Sequence, residues 1–142
     1  METAVIQFGK PAGAFKTRPG AYGVVRNSHG QFLVLEVNGF FHLPGGGIHA
    51  GEDPKAALVR ELMEEAGCTV GELTFLGRAN QFFDRPTNST NKEGVFFTAT
   101  MVTQDSSLRT ETSHVPRWFS FDQVQASPMG DFQKWAIRQV NA

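Results

Sequence analysis

The stretch from Asp53 to Gly67 leaves this chain little freedom: it has to be a helix, and the helix has to lie on something apolar. Asp53 is a good N-cap, Pro54 suits the first helical position, and Gly67 is a natural stop, with apolar Cys68 beyond it. The pattern predicts a helix over 54–66. At about 100° per residue, Ala56, Leu58, Val59, Leu62, Met63 and Ala66 share one broad arc that should pack on a sheet.

The same helix carries Glu61, Glu64 and Glu65 at i, i+3 and i+4, neighbours on its surface. A solvated charged face is one reading. Two costs weigh against it. Like charges at this spacing repel by about 0.2–0.5 kcal/mol per pair. They also stand in the last turns, where the helix dipole disfavours anions by about 0.3–1 kcal/mol each. No lysine stands among them, and a bound divalent cation would relieve both costs. A carboxylate-only set suits a hard cation, Mg2+ or Mn2+. Just upstream, Pro44 followed by Gly45, Gly46 and Gly47 reads as a loop whose backbone can approach a ligand closely. No Gly-Lys-Ser/Thr follows, so it is not a Walker-type phosphate loop.

Around this centre the chain reads as follows. Residues 3–8 are a strand or an ordered arm, and 9–20 a Gly/Pro-rich loop whose Lys10, Lys16 and Arg18 could meet phosphate or simply be solvated. Residues 21–26 and 31–37 form a β-hairpin around Asn27-Ser28-His29-Gly30. Residues 40–43 are a short strand, 70–83 one or two strands, 84–94 a polar surface loop, 95–102 a strand and 117–121 a last strand. Asp122 caps a helical turn to Ala126, and 130–140 form an amphipathic helix with Phe132, Trp135, Ala136 and Val140 on one side. Irregular alternation with hairpins favours an α/β or α+β sheet covered by helices over a purely parallel one. We expect one domain over 1–142, with 1–17 as an N-terminal strand or arm. Its 40% hydrophobic and 19% charged residues describe a soluble globular protein. A net charge of −1 argues against binding a nucleic acid polymer. One cysteine excludes an intrachain disulfide, and neither a membrane-spanning apolar run nor a signal-peptide pattern is present. These features read as a cytoplasmic protein that does not engage membranes.

Gly46, Glu52, Arg60, Glu61, Leu62, Glu64, Glu65, Gly67 and Cys68 fit the spacing Gly-x5-Glu-x7-Arg-Glu-Leu-x-Glu-Glu-x-Gly-Cys. This resembles the signature of the Nudix hydrolases, with Cys68 standing where the family usually has an aliphatic residue. The resemblance implies an α/β/α sandwich around a mixed β-sheet. It also implies a Mg2+-dependent pyrophosphohydrolase, Mn2+ being the alternative, that cleaves a nucleoside diphosphate linked to another group by water attack on phosphorus. By the same resemblance Glu61, Glu64 and Glu65 hold metal with a backbone carbonyl near Gly45, and Glu61 acts as or orients the general base. Arg60 and Glu52 pair to hold the loop and Glu61 in place.

Members of the family often take a further carboxylate from a later loop. Glu93 and Glu111 are the candidates and Glu111 is preferred; His114 sits nearer the place where an acid or His is common in relatives, but as a lone His it is read as structural or solvated. For the substrate, Phe83, Phe41 and Arg18 are chosen as contacts; Phe40 and Phe82 also flank the site, and core packing is the competing role for each Phe. Relatives that sanitise nucleotides often carry basic residues at the end of the second hairpin strand, where Glu36 and Val37 stand here. A catalytically silent nucleotide-binding sensor is the alternative function, although such proteins usually lose signature carboxylates. An isoprenoid-diphosphate isomerase would need a cysteine outside the helix segment. Many relatives dimerise, so a homodimer is left open.

Overall fold

Two long strands carry the architecture. In the computed structural model, which describes residues 4–140, β2 (Lys16–Arg26) and β8 (Thr90–Gln104) run parallel from Lys16↔Thr90 to Arg26↔Thr100. The edge strand β1 (Val5–Phe8) is parallel to β7 (Thr74–Phe83), which is antiparallel to β8. On the other side β3 (Phe32–Val37) pairs antiparallel with β4 (Phe40–His42) and β9 (Val115–Phe119). Two short strands complete the set: β5 (Gly45–Gly47) on β2, and β6 (Cys68–Val70) on β8. The sheet is therefore mixed.

Both faces of this sheet are covered, so its central strands are apolar on both sides. Side chains alternate across a strand. Tyr22, Val24, Phe32, Val34 and Phe96 face α3 (Asp131–Val140) and α2 (Phe121–Ala126), packing with Phe132, Ala136, Ile137 and Val124. Ala21, Val25, Leu33, Val95 and Phe97 face α1 (Pro54–Ala66), packing with Ala57, Leu58, Leu62 and Ala66. The result is an α/β/α sandwich. No helix among the described residues is long and apolar enough to cross a membrane.

Helix α1 has the predicted bounds. Asp53 accepts from the N–H groups of Lys55 and Ala56, and Gly67 adopts φ 60° beyond the last turn. Its buried stripe differs from the expected arc. Ala57, Leu58, Leu62, Glu65 and Ala66 are buried, while Ala56 and Val59 are exposed and Met63 is half-buried. The helix is rolled so that Glu65, not Val59, faces inward.

Three expected loops are partly strand, because tertiary pairing supplied ladder partners that local composition does not reveal. Residues 16–20 extend β2 against the start of β8. The glycine run is β5. The polar loop after β7 is confined to 84–89, and β8 begins at Thr90. The last strand is 115–119 rather than 117–121, and α2 is capped by Ser120 in a reciprocal box with Gln123, not by Asp122. Of the expected N-terminal strand, Thr3 lies outside the described residues.

Gly67→Ala should be the most costly conservative change at the end of α1. A Cβ there would lie 1.9 Å from the Asp105 carbonyl oxygen, at a φ of +60°. We expect urea unfolding to show a loss above about 1 kcal/mol. Gly71→Ala, where the nearest atom would be 4.0 Å away, should stay within about 0.5 kcal/mol.

Candidate active site

Glu65 is only 4% exposed although it belongs to the acidic face of α1. Oε1 accepts from the backbone N–H of Gly45 at 2.9 Å, and Oε2 lies 3.0 Å from Nδ1 of His114. Burial pushes its carboxyl up to about 8, against the opposing Gly45 hydrogen bond and with added repulsion from Glu61, Glu64 and Glu111. Tyr22 lies in the same cavity. Burial, then Glu65 and Glu61, push its phenol up to about 12, so it stays neutral.

A single guanidinium organises the remaining carboxylates. Arg60 donates from Nε and Nη2 to the two oxygens of Glu52 at 2.9 and 3.1 Å, a forked pair. Its Nη1 donates to Glu64 at 2.8 Å and to Glu61 at 3.1 Å, and Nη2 reaches the carbonyl of Gly47 at 3.3 Å. The acidic face is thus not without a cation, contrary to the sequence expectation: the relief comes from Arg60, one residue before Glu61. Arg60, with the His49 N–H, holds the Glu52 carboxyl down to about 2. Burial comes first among the influences on Glu61 and raises it.

The glycine strand brings backbone onto these carboxylates. A Cβ at Gly45 would stand 2.1 Å from the Ala21 carbonyl oxygen, so only glycine allows β5 to approach β2 here. A Cβ at Gly46 would stand 3.0 Å from Glu61 Oε1, which places that carboxylate directly over the strand. The donor set is hard oxygen throughout and suits a divalent cation. Burial and mutual repulsion raise Glu61 and Glu65, and a cation would relieve both. Among the described residues no three acidic, His or Cys side chains already stand at metal-binding spacing; Arg60 bridges Glu61 and Glu64 instead.

Glu65, Tyr22, Gly45–Gly47, Arg18, Lys92 and His114 line a cavity of about 400 Å³. A cleft of about 700 Å³ adjoins it, sharing His42, Lys92 and Gln133 and lined by Phe40, Phe41 and Phe83. Of the predicted substrate contacts, all three therefore line the connected space. Phe83 is less free than expected, since Lys92 Nζ lies 5.1 Å from its ring centre and Phe132 meets it edge-on. Phe41 packs on Phe119.

The preferred fourth carboxylate, Glu111, lies close enough to add to the repulsion on Glu65 but is held by its own loop. Glu111 accepts from the N–H of Ser113 at 2.9 Å and from its hydroxyl, while its own N–H donates to the Glu64 carbonyl. Glu93 lines a separate small cavity with Ile48 and Pro54. The loop residue that reaches Glu65 is His114, which the sequence reading set aside. Tyr22, His42, Lys92 and Gln133 were also missed. Lys92 was readable had the strand been started at Thr90, because it then alternates onto the same face as Phe96.

A NUDIX domain family model matches residues 16–140. The chain belongs to the Nudix family. Among curated relatives, an 8-oxo-dGTP diphosphatase of Proteus vulgaris is 36% identical over 72 residues, covering 46% of this chain and 64% of the relative. An RNA pyrophosphohydrolase of Aliivibrio fischeri is 37% identical over 67 residues, covering 46% of this chain and 39% of the relative. The Nudix chain thus spans less than two thirds of the length of these relatives. A NUDIX hydrolase from Nitrosomonas europaea has a similar fold, with a TM-score of 0.75 at 20% identity over 87% of this chain and 88% of that one. A MutT NUDIX hydrolase from Burkholderia pseudomallei gives 0.69 at 20% identity, over 87% of this chain and 98% of that one. At such identities the likeness is one of fold.

Without metal, Glu65 gives this Nudix domain a definite pH signature. Its folded value of about 8 lies above its ordinary value of 4.5. As pH rises between the two, the unfolded chain releases a proton that the folded chain retains, so stability falls, and the loss is complete above about 8. In chelator, denaturation midpoints should decline from pH 5 to 8 more steeply for the native protein than for Glu65→Gln. Parallel profiles would contradict the burial of an ionisable Glu65.

Proposed function

We propose that this Nudix domain is a Mg2+-dependent pyrophosphohydrolase, with Mn2+ as an alternative metal, acting on a small nucleoside diphosphate linked to another group. The observation that carries the reading is the buried carboxylate Glu65, set in the wall of a cavity that Arg18 and Lys92 also line. Glu52, Glu61, Glu64 and Glu65 are all present, with Arg60 paired to the first three. The names of the relatives, a diphosphatase and a pyrophosphohydrolase, support the same bond type. The net charge of −1 favours a small substrate over a nucleic acid polymer, and a cytoplasmic setting belongs to the same proposal.

Glu61, Glu64, Glu65 and the carbonyl of Gly45 would hold the cation. When bound, it supplies charge that neutralises phosphate oxygens and lowers the pKa of water. Glu61, raised by burial, is suited to take a proton from the attacking water. Arg60 and Glu52 position Glu61 and the carbonyl of Gly47. Water adds its oxygen to one phosphorus, the anhydride P–O bond breaks, and the leaving phosphate carries the bonding pair away. Two phosphate-bearing fragments result.

The test is a panel of nucleoside triphosphates, nucleotide sugars, ADP-ribose, dinucleoside polyphosphates and NADH, followed for Mg2+-dependent release of a nucleoside monophosphate. At least one should turn over. Glu61→Gln and Glu64→Gln should each lower kcat by about a hundredfold or more with unchanged circular dichroism. A flat panel with nucleotide binding retained would make the protein a silent sensor.

A further inference from the structure

Three cations converge beside the cleft with no carboxylate to balance them. Arg18 on β2 and Lys92 on β8 are direct cross-strand partners. Like charges placed opposite each other destabilise a sheet. Arg85, at the tip of the β7–β8 hairpin, lines the same recess of about 610 Å³ together with Thr87, Asn88 and Thr90. Among the described residues none of the three cations is within ion-pair distance of an acid. The nearby Asp84 accepts a hydrogen bond from the Ser89 hydroxyl, which also accepts from the Arg85 N–H and so ties the hairpin tip together. Burial, Arg85 and Arg18 all lower the pKa of Lys92, as expected where cations crowd without a counter-charge.

The connection of the spaces assigns the recess a role. Lys92 lines the cavity that holds Glu65, the cleft lined by Phe40, Phe41 and Phe83, and the recess itself. A ligand whose diphosphate lies near Glu65 can therefore extend past Lys92 in two directions, one aromatic and one cationic. A merely solvated basic patch would leave its charges apart; here Arg18 and Lys92 face each other in register and share two cavities.

We propose that Arg18, Arg85 and Lys92 form an anion subsite for a phosphate group of the substrate that is additional to the diphosphate cleaved. The inference rests on the hydrolase reading for its choice of substrate. It narrows the class to nucleotides carrying a further phosphate, either in line, as in a triphosphate, or as a branch on the linked group. The phosphate replaces the missing counter-charge between the two strands and accepts charge-assisted hydrogen bonds from the guanidinium groups.

Three ligand pairs differing by one phosphate test it: ADP and ATP, NADH and NADPH, dephospho-coenzyme A and coenzyme A. Calorimetric titration in chelator measures binding without turnover. In at least one pair the more phosphorylated member should bind about tenfold tighter or better, with an advantage that shrinks as salt rises. The advantage should fall below about twofold in the double variant Arg18→Gln/Arg85→Gln; both residues are exposed, and a melting curve checks its fold. Which pair responds separates an in-line phosphate from a branch. Equal affinities within every pair, no binding of any member, or an advantage that survives the double variant overturns the subsite. The same pairs are then assayed with Mg2+. Preferential binding without hydrolysis would keep the subsite and reject the hydrolase; hydrolysis without preference would do the reverse.

Discussion

A carboxylate removed from water near the end of a helix is the constraint on which this end of the molecule depends. Glu65 stands in the last turn of α1, where the helix dipole opposes an anion, and it is buried there. Its two polar neighbours are one backbone N–H and one imidazole nitrogen. The guanidinium of the acidic face, Arg60, is engaged by Glu52, Glu61 and Glu64. The site therefore holds more negative charge than it neutralises. That imbalance is costly in an isolated protein and favourable in one that takes up a cation.

The fold makes the imbalance sustainable by enclosing it from several sides. The close pairing of β5 with β2 at Gly45 delivers the N–H that Glu65 needs, and Gly46 leaves room for Glu61 above the strand. The backbone after a short 3-10 turn, Ser106–Leu108, adds another wall: the N–H groups of Thr110 and Glu111 both donate to the Glu64 carbonyl, and His114 follows at Glu65. The same cavity is also lined by the cations Arg18 and Lys92.

Much of this was legible in the sequence. The caps of α1, the layered mixed sheet and the pairing of Arg60 with Glu52 all follow from short-range pattern or from the resemblance that pattern carries. Glu65 was half-legible. On a helical projection it falls about 20° from Leu58, so an arc centred on Leu58 would have buried it; including Ala56 and Val59 moved the arc away. Residues 16–20 and 90–94 read as loops because Pro19, Gly20 and Gly94 are poor strand formers, yet each segment supplies the other's ladder partners. That error hid Lys92. His114 was undervalued, although it sits nearer the place where relatives carry an acid or His, because a lone histidine is more often structural or solvated than a ligand; the long-range meeting with Glu65 gives it a role. Glu111, closer to a family pattern by residue type, is turned onto its own loop by Ser113.

The central claim is that Glu65 is buried to hold a cation. Electron paramagnetic resonance of Mn2+ titrated into metal-free protein at pH 7.5 tests it directly, because free and bound Mn2+ give separable signals without any substrate. The native protein should bind Mn2+, and Glu65→Gln, which keeps the shape and removes the charge, should weaken binding by about tenfold or more. Unchanged Mn2+ affinity in Glu65→Gln would contradict the account.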